Sequence, residues 1–173
     1  MNILYLSLTR KMKRKLSISI LMLSLTLCVF GQVNDKAIRK RVLNKGIVDS
    51  LFVFGKWDEK GKTETHLQYL GQVTTNDQQV YKVMNYCWFW GLSHRATTRI
   101  LIYNGKNEYV GNYCIYDIND LPVKLDNGVL IFRSKKECDK SIITKIDLTR
   151  GIPKQIFIEC ESGNGDLYNF ETE

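Results

Sequence analysis

The sequence predicts a mainly β protein: an antiparallel meander of about eight to ten strands that forms an open barrel or a two-sheet sandwich, with one short N-terminal helix. Two observations carry this prediction. From about residue 51 onward, short runs rich in Val, Ile, Tyr and Phe recur between Gly, Asn and Asp residues, and no helical period is present. Before those runs, Asn34 and Asp35 precede a segment with helical spacing that ends at Gly46.

The predicted helix carries a strongly basic face. Its apolar positions are few, and they are spaced as one turn of a helix requires. The basic residues are Lys36, Arg39, Lys40, Arg41 and Lys45. We interpret this face as solvated, and contact with an anionic surface is the alternative.

The first 31 residues have the parts of a secretory signal peptide. A cationic cluster at residues 11–15 is followed by an apolar run at residues 16–30, which at 15 residues is shorter than the roughly 20 that a spanning helix needs. We expect cleavage after Gly31, which gives a leader at 1–31 and a single β-rich domain at 32–173, with no transmembrane segment after cleavage. The true start is either Met1 or Met12, since both open a complete leader.

Two further features of the leader concern export. Cys28 suggests a lipid-anchored cysteine, but Leu27 stands where such a site requires a small residue. The ending Phe30-Gly31-Gln32 resembles the leaders of Gram-negative envelope proteins, a resemblance that implies export alone. We therefore expect an exported protein located in the periplasm or outside the cell.

The charge of the chain resides largely in this leader. Of the 25 Lys and Arg residues, five lie in residues 1–31, which leaves 20 against 18 Asp and Glu, a formal charge of +2. A basic footprint is the first requirement for a nucleic-acid-binding protein, so nucleic acid is excluded as the expected partner. The expected partner is therefore an unidentified protein or small molecule.

Ten strands are predicted from the apolar runs and their turn signals. They are expected near residues 50–55, 65–74, 79–90, 97–103, 108–117, 122–126, 129–133, 141–147, 153–160 and 166–171. The clearest hairpin turns at Asn127-Gly128, a pair suited to a type I′ turn, and it places Leu125 opposite Leu130. A second hairpin is predicted around residues 148–150, with Asp147 facing Gly151.

Four cysteines follow the leader, an even number in a chain expected to be exported. The register of the second predicted hairpin puts Cys138 opposite Cys160 on one apolar face, so we predict a disulfide between them. Cys87 and Cys114 are separated by an intervening strand in a meander. Two inter-strand spacings make about 9.6 Å, beyond the reach of a disulfide, so these two are predicted to be free thiols.

The stretch from Tyr86 to Arg99 concentrates the candidate binding residues. Alternate aromatic residues project to one face of a strand, where they form either part of the core or an exposed platform for a ligand or partner. The loop and the next strand start then add a histidine and two arginines. We predict a ligand- or partner-binding surface at Tyr86, Trp88, Trp90, His94, Arg95 and Arg99.

A catalytic alternative pairs Cys87 as nucleophile with His94 as base, since both lie in this stretch. No third group is identified to orient the base. His66 and His94 without a third ligand at a recognisable spacing do not indicate a metal site, and we expect no cofactor. The favoured function is a non-catalytic binding or interaction module of the cell envelope, and an enzyme using Cys87 and His94 is the alternative.

Overall fold

The computed structural model describes residues 35–133, 139 and 142–172, and within this part of the chain there are one α-helix, ten strands and one short 3-10 helix. The predicted leader at 1–31 lies outside the described residues. Helix α1 spans Asp35–Lys45. The strands are β1 (Leu51–Gly55), β2 (Glu64–Thr74), β3 (Val80–Trp90), β4 (Arg95–Asn104), β5 (Tyr109–Ile115), β6 (Lys124–Asp126), β7 (Val129–Arg133), β8 (Ile143–Asp147), β9 (Gln155–Glu161) and β10 (Asn164–Glu171).

The strands form two antiparallel sheets, which confirms the mainly β prediction. The large sheet has the order β1-β2-β3-β4-β5-β10-β9, and the small sheet has the order β6-β7-β8. The meander therefore runs through five consecutive strands and then breaks, because β5 pairs with β10. The described strands do not close into a barrel.

The main core lies between the two sheets. Leu130, Phe132 and Leu148 come from the small sheet and its following turn, and each is at most 1% exposed. They belong to one cluster with large-sheet residues such as Ile100 and Tyr113. Because alternate strand residues face opposite sides, this core uses one face of the large sheet and leaves the other for helix α1.

Helix α1 packs on the second face of the large sheet through buried apolar residues and through cations that lie over aromatic rings. Its buried apolar residues are Val42 and Leu43. Four of the five basic residues are exposed, as expected for a solvated face, and Arg39 is half-buried. Three of the five, Arg39, Arg41 and Lys45, also lie over aromatic rings of the sheet. Arg39 Cζ is 4.8 Å from the Tyr86 ring centroid, Arg41 Cζ is 5.8 Å from that of Phe54, and Lys45 Nζ is 4.9 Å from that of Phe52. Long cationic side chains cover apolar surface with their stems, and their charges are attracted by the ring faces.

The hairpin between β6 and β7 has the predicted register. Leu125 pairs with Leu130 and Asp126 with Val129. Asn127 and Gly128 have φ values of 49° and 81°, as both central positions of a type I′ turn require.

The second predicted hairpin is wrong. Strand β8 pairs with β7, with Asp147 opposite Val129, while β9 pairs with β10 in the other sheet. Leu148 is fully buried where the chain crosses from one sheet to the other. Either edge of a strand can pair with another strand, and the alternation of apolar and polar residues does not specify which strand pairs with which edge. The register that placed Cys138 opposite Cys160 is therefore absent, and Cys138 itself lies outside the described residues.

Cys87 and Cys114 are free thiols, as predicted. Cys87 lies on β3 and Cys114 on β5, with β4 paired between them. The helix formed by the described residues is too short and too polar to cross a membrane.

Candidate functional site

The candidate site lies on the helix-bearing face of the large sheet, at the end where β3 and β4 meet the 91–94 turn. Trp88 pairs with Thr97, and Trp90 pairs with Arg95, so all four side chains project to one side. The two indole rings stack with centroids 5.7 Å apart and planes 23° apart. Trp90 Nε1 donates a hydrogen bond to Thr97 Oγ1 at 3.0 Å, which fixes the ring. Both tryptophans are half-buried, so each keeps part of its ring surface accessible.

The third aromatic residue of the row belongs to the core. Tyr86 is 3% exposed and lies under the Arg39 guanidinium of α1. The sequence left open whether the aromatic row is core or an exposed platform, and the answer differs along β3. Tyr86 packs beneath the helix, and Trp88 and Trp90 extend beyond it.

Two arginines accompany the tryptophans. Arg95 Cζ is 5.6 Å from the Trp90 ring centroid. Arg99 lies opposite Tyr86 on one side and Cys114 on the other. Neither guanidinium has a carboxylate or another hydrogen-bond acceptor within the described residues, and Arg99 Nε is buried without a partner there. We name Trp88, Trp90, Arg95 and Arg99 the tryptophan–arginine face; it joins flat ring surface to positive charge that has no internal counter-ion among the described residues.

The structure places His94 on the opposite side of the sheet from the other predicted site residues. Gly91 and His94 both have positive φ, 69° and 51°, which turns the chain over the strand end. The imidazole stacks on Phe89 with centroids 4.8 Å apart and lies 4.2 Å from the Trp57 ring centroid. Phe89 alternates with Trp88 and Trp90 along β3, so this ring cluster shares no face with them.

A carboxylate–histidine pair lies at the edge of that ring cluster. The His66 Nε2 and Glu64 Oε1 atoms are 2.6 Å apart, and the backbone N–H of Trp57 donates to Glu64 Oε2 at 3.2 Å. The hydrogen bond from His66 lowers the pKa of the Glu64 carboxyl below its ordinary value, and the hydrogen bond from the Trp57 backbone lowers it further. Trp57 Nε1 also donates to Gly91 O at 2.8 Å, so this cluster ties β1 and β2 to the turn.

Cys87 is not arranged as an activated nucleophile. Its cross-strand neighbour is His66 rather than His94, and it makes no hydrogen bond to either ring among the described residues. Burial raises the pKa of the Cys87 thiol to about 11, because the charged thiolate is poorly solvated there. At pH 7 only about one molecule in ten thousand would carry the thiolate.

Sequence reasoning missed a second group of polar residues, on the sheet face opposite the tryptophans. Asn85 and Gln68 sit side by side on β3 and β2, and Asn85 Nδ2 donates to Gln68 Oε1 at 3.2 Å. Asn85 shares its face with Val83 and Cys87, so the strand looked apolar on both sides. The amide of Asn85, in an otherwise apolar strand, was the signal that could have identified this polar group.

Comparison with protein-family models, curated proteins and solved structures gave no match to this chain.

Proposed function

We propose that the protein is an exported, non-catalytic binding module of the cell envelope, whose tryptophan–arginine face takes a ligand with an anionic group attached to a ring. The ring, aromatic or sugar, lies against Trp88 and Trp90. The anionic group is held by Arg99, with Arg95 beside it.

One observation carries this proposal: Arg99, which has no counter-ion among the described residues, lies on the same sheet face as two stacked indoles that remain partly accessible. Tryptophan faces bind flat rings and sugars through large apolar contact area. An arginine presents a fixed fork of donors that matches a carboxylate or phosphate. Arg95, 5.6 Å over Trp90, adds positive charge at the edge of the same surface.

A non-catalytic role is supported by the protonation state of Cys87, the nucleophile that the sequence suggested. The raised pKa of Cys87, about 11, keeps its thiol protonated at neutral pH. The ring of His94 is engaged in stacking with Phe89 and Trp57. Neither residue lies on the tryptophan–arginine face.

Isothermal titration with two anionic probes tests the proposal. We expect 2-naphthoate or tetragalacturonate to bind the 32–173 protein saturably, and the probe that binds identifies the ring as aromatic or sugar. Arg99→Gln should weaken binding at least about tenfold, since a hydrogen bond to a charged group contributes about 1.5–3 kcal/mol. Trp90→Ala should weaken it about threefold to tenfold through lost ring contact.

Arg133→Gln is the matched control, because Arg133 is an exposed residue at the end of β7 in the small sheet. It should leave the affinity unchanged. Equal losses for Arg99→Gln and Arg133→Gln would assign binding to non-specific charge. Failure of both probes to bind would contradict the proposed ligand class.

We also propose cleavage after Gly31 and a Cys138–Cys160 disulfide, although the hairpin that suggested the bridge is not formed. The support is local: the backbone N–H of Asp139 donates to Cys160 O at 2.9 Å, which brings the residue after Cys138 beside Cys160. Non-reducing peptide mapping of material exported by a Gram-negative host should show an N-terminal Gln32 and a joined Cys138–Cys160 peptide, with Cys87 and Cys114 alkylated after unfolding. A Cys87 or Cys114 peptide in a bridge, or a lipid adduct on Cys28, would contradict these two proposals.

A further inference from the structure

Strand β1 forms one edge of the large sheet, and β2 is its single neighbour among the described strands. Successive residues of a strand direct their N–H and C=O groups to opposite sides, so about half of the backbone groups of β1 point away from β2. No backbone hydrogen bond joins β1 to a described residue outside β2. This edge therefore presents a row of donors and acceptors with which a further strand can pair.

The opposite edge of the large sheet, at β9, is partly occupied. The backbone N–H of Glu159 donates to Thr144 Oγ1 of β8 at 3.0 Å. The backbone N–H of Asp139 donates to Cys160 O at 2.9 Å. Strand β9 also carries two glutamates, and charged residues discourage pairing at an edge. Strand β1, with the sequence Leu-Phe-Val-Phe-Gly, contains neither charge nor proline, and its register with β2 is unbroken. Of the two edges, β1 is the one open to a further strand.

Positive charge lies over one face of β1. Lys45 Nζ is 4.9 Å from the ring centroid of Phe52, and Arg41 Cζ is 5.8 Å from that of Phe54. Both cationic side chains are exposed, and neither forms an ion pair with a described residue. A strand added beside β1 would meet these two charges on its helix-facing side.

The other face of β1 is apolar and open. Leu51 and Val53 alternate with the two phenylalanines and therefore project to the face opposite α1. Leu51 is 60% exposed and Val53 is 50% exposed. The two sides of an added strand would thus meet different surfaces, one cationic and one apolar.

A second copy of this chain fits the edge poorly. If β1 paired antiparallel with β1 of another copy, the helix-bearing faces of the two sheets would lie on the same side. Arg41 and Lys45 of both copies would then be brought together over the paired strands. Like charges placed opposite each other destabilise a strand pair, so the charges favour a partner that carries carboxylates.

We propose that the free edge of β1 binds an extended segment of another protein in which acidic and apolar residues alternate. The backbone of the segment extends the sheet by one strand. Its carboxylates face Arg41 and Lys45, and its apolar side chains lie beside Leu51 and Val53. This surface is separate from the tryptophan–arginine face and does not rest on the function proposed for it.

Two capped peptides test the charge of the partner on the protein as exported: Thr-Val-Glu-Val-Glu-Val-Thr, and the same peptide with lysines in place of the glutamates. Titration followed by amide NMR should show saturable binding of the glutamate peptide. We expect it to bind at least about fivefold more tightly than the lysine peptide, because two ion pairs replace two repulsions. The bound peptide should slow hydrogen exchange of the β1 amides that point away from β2, and not of the β9 amides.

Backbone methylation tests whether the peptide adds as a strand. Two versions of the glutamate peptide carry N-methyl groups on alternate residues, one version for each edge of the extended peptide. Because a strand turns a single edge toward β1, one version should lose at least about tenfold in affinity and the other should retain most of it. Equal affinity of the two versions would contradict pairing with β1.

A charge reversal locates the peptide. Lys45→Glu should weaken the glutamate peptide about threefold or more and strengthen the lysine peptide. Lys36→Glu is the matched control, because Lys36 is equally exposed but lies roughly 13 Å away along α1, and it should leave the preference for the glutamate peptide in place. Thermal unfolding of both variants verifies that they fold.

Three results would overturn the proposal. They are equal affinity for the glutamate and lysine peptides, absence of saturable binding, and protection of the outward β1 amides by dimerisation of the protein without peptide. The last of these would assign the edge to a second copy of this chain.

Discussion

Phe132→Ala is expected to lower the free energy of unfolding by about 3–5 kcal/mol. Phe132 is 1% exposed at the centre of the small sheet, where it faces the large sheet together with Leu130. Removing the ring forfeits its transfer free energy and leaves a cavity that strands on both sides hinder from collapsing. A loss of this size is a large fraction of the 5–15 kcal/mol typical of a domain. Urea unfolding followed by far-UV circular dichroism measures it.

Phe157→Ala is the matched control for that substitution. Phe157 lies on β9 and is 41% exposed, so its loss should cost about 1 kcal/mol or less. If both variants lost the same stability, the small sheet would not be packed on the large one. Phe132→Leu keeps much of the side-chain volume. It can be measured in place of Phe132→Ala if the alanine variant does not fold.

Gly111→Ala is expected to cost about 2–3 kcal/mol, as overpacking of a tight contact does. A β-carbon at residue 111 would collide with the backbone carbonyl oxygen of Glu171 and would lie 2.5 Å from the Phe170 ring. Both residues belong to β10, whose pairing with β5 joins β9 and β10 to the meander. The φ of Gly111 is not positive, so close approach of two strands, and not backbone conformation, requires this glycine.

Gly105→Ala separates this effect from the general cost of replacing a glycine. A β-carbon at Gly105 would meet only the Val80 side chain, 3.3 Å away, and the substitution restricts the unfolded chain. We expect a change of about 1 kcal/mol or less in urea unfolding. A Gly111→Ala variant as stable as Gly105→Ala would mean that β5 and β10 are not in close contact.

The strands and the tight hairpin were predictable because their signals are local. Alternating residues specify a strand, and Asn127-Gly128 specifies both a turn type and a register. The pairing of β8 with β7 was not predictable, because the sequence does not specify which edge of which strand a later strand will pair with. The same limit applies to β5, whose residues pair with β10 residues nearly sixty positions further along the chain.

The candidate site was predictable in part for a similar reason. Period-two alternation placed Tyr86, Trp88 and Trp90 on one face of the strand. Arg95 and Arg99 were included because they follow in the loop and at the start of the next strand, and the pairing of β4 with β3 puts both on that face. His94 was assigned to the same surface because it is close in sequence, but the turn after β3 carries it to the other side. The free edge of β1 depends on which strands become neighbours in the sheet, so no local pattern could indicate it.

The three tryptophan indole N–H signals in a proton–nitrogen NMR spectrum provide the most direct test of the tryptophan–arginine face. Trp88 and Trp90 stack on each other on that face, while Trp57 lies beside His94 on the other side of the sheet. On titration with 2-naphthoate or tetragalacturonate, the Trp88 and Trp90 signals should shift saturably, and the Trp57 signal should stay in place. At a ligand concentration near the wild-type Kd, Arg99→Gln should strongly reduce the shifts, because its affinity is at least about tenfold lower. A shift confined to Trp57, or shifts of Trp88 and Trp90 as large in Arg99→Gln as in the wild type, would contradict binding at this face through Arg99.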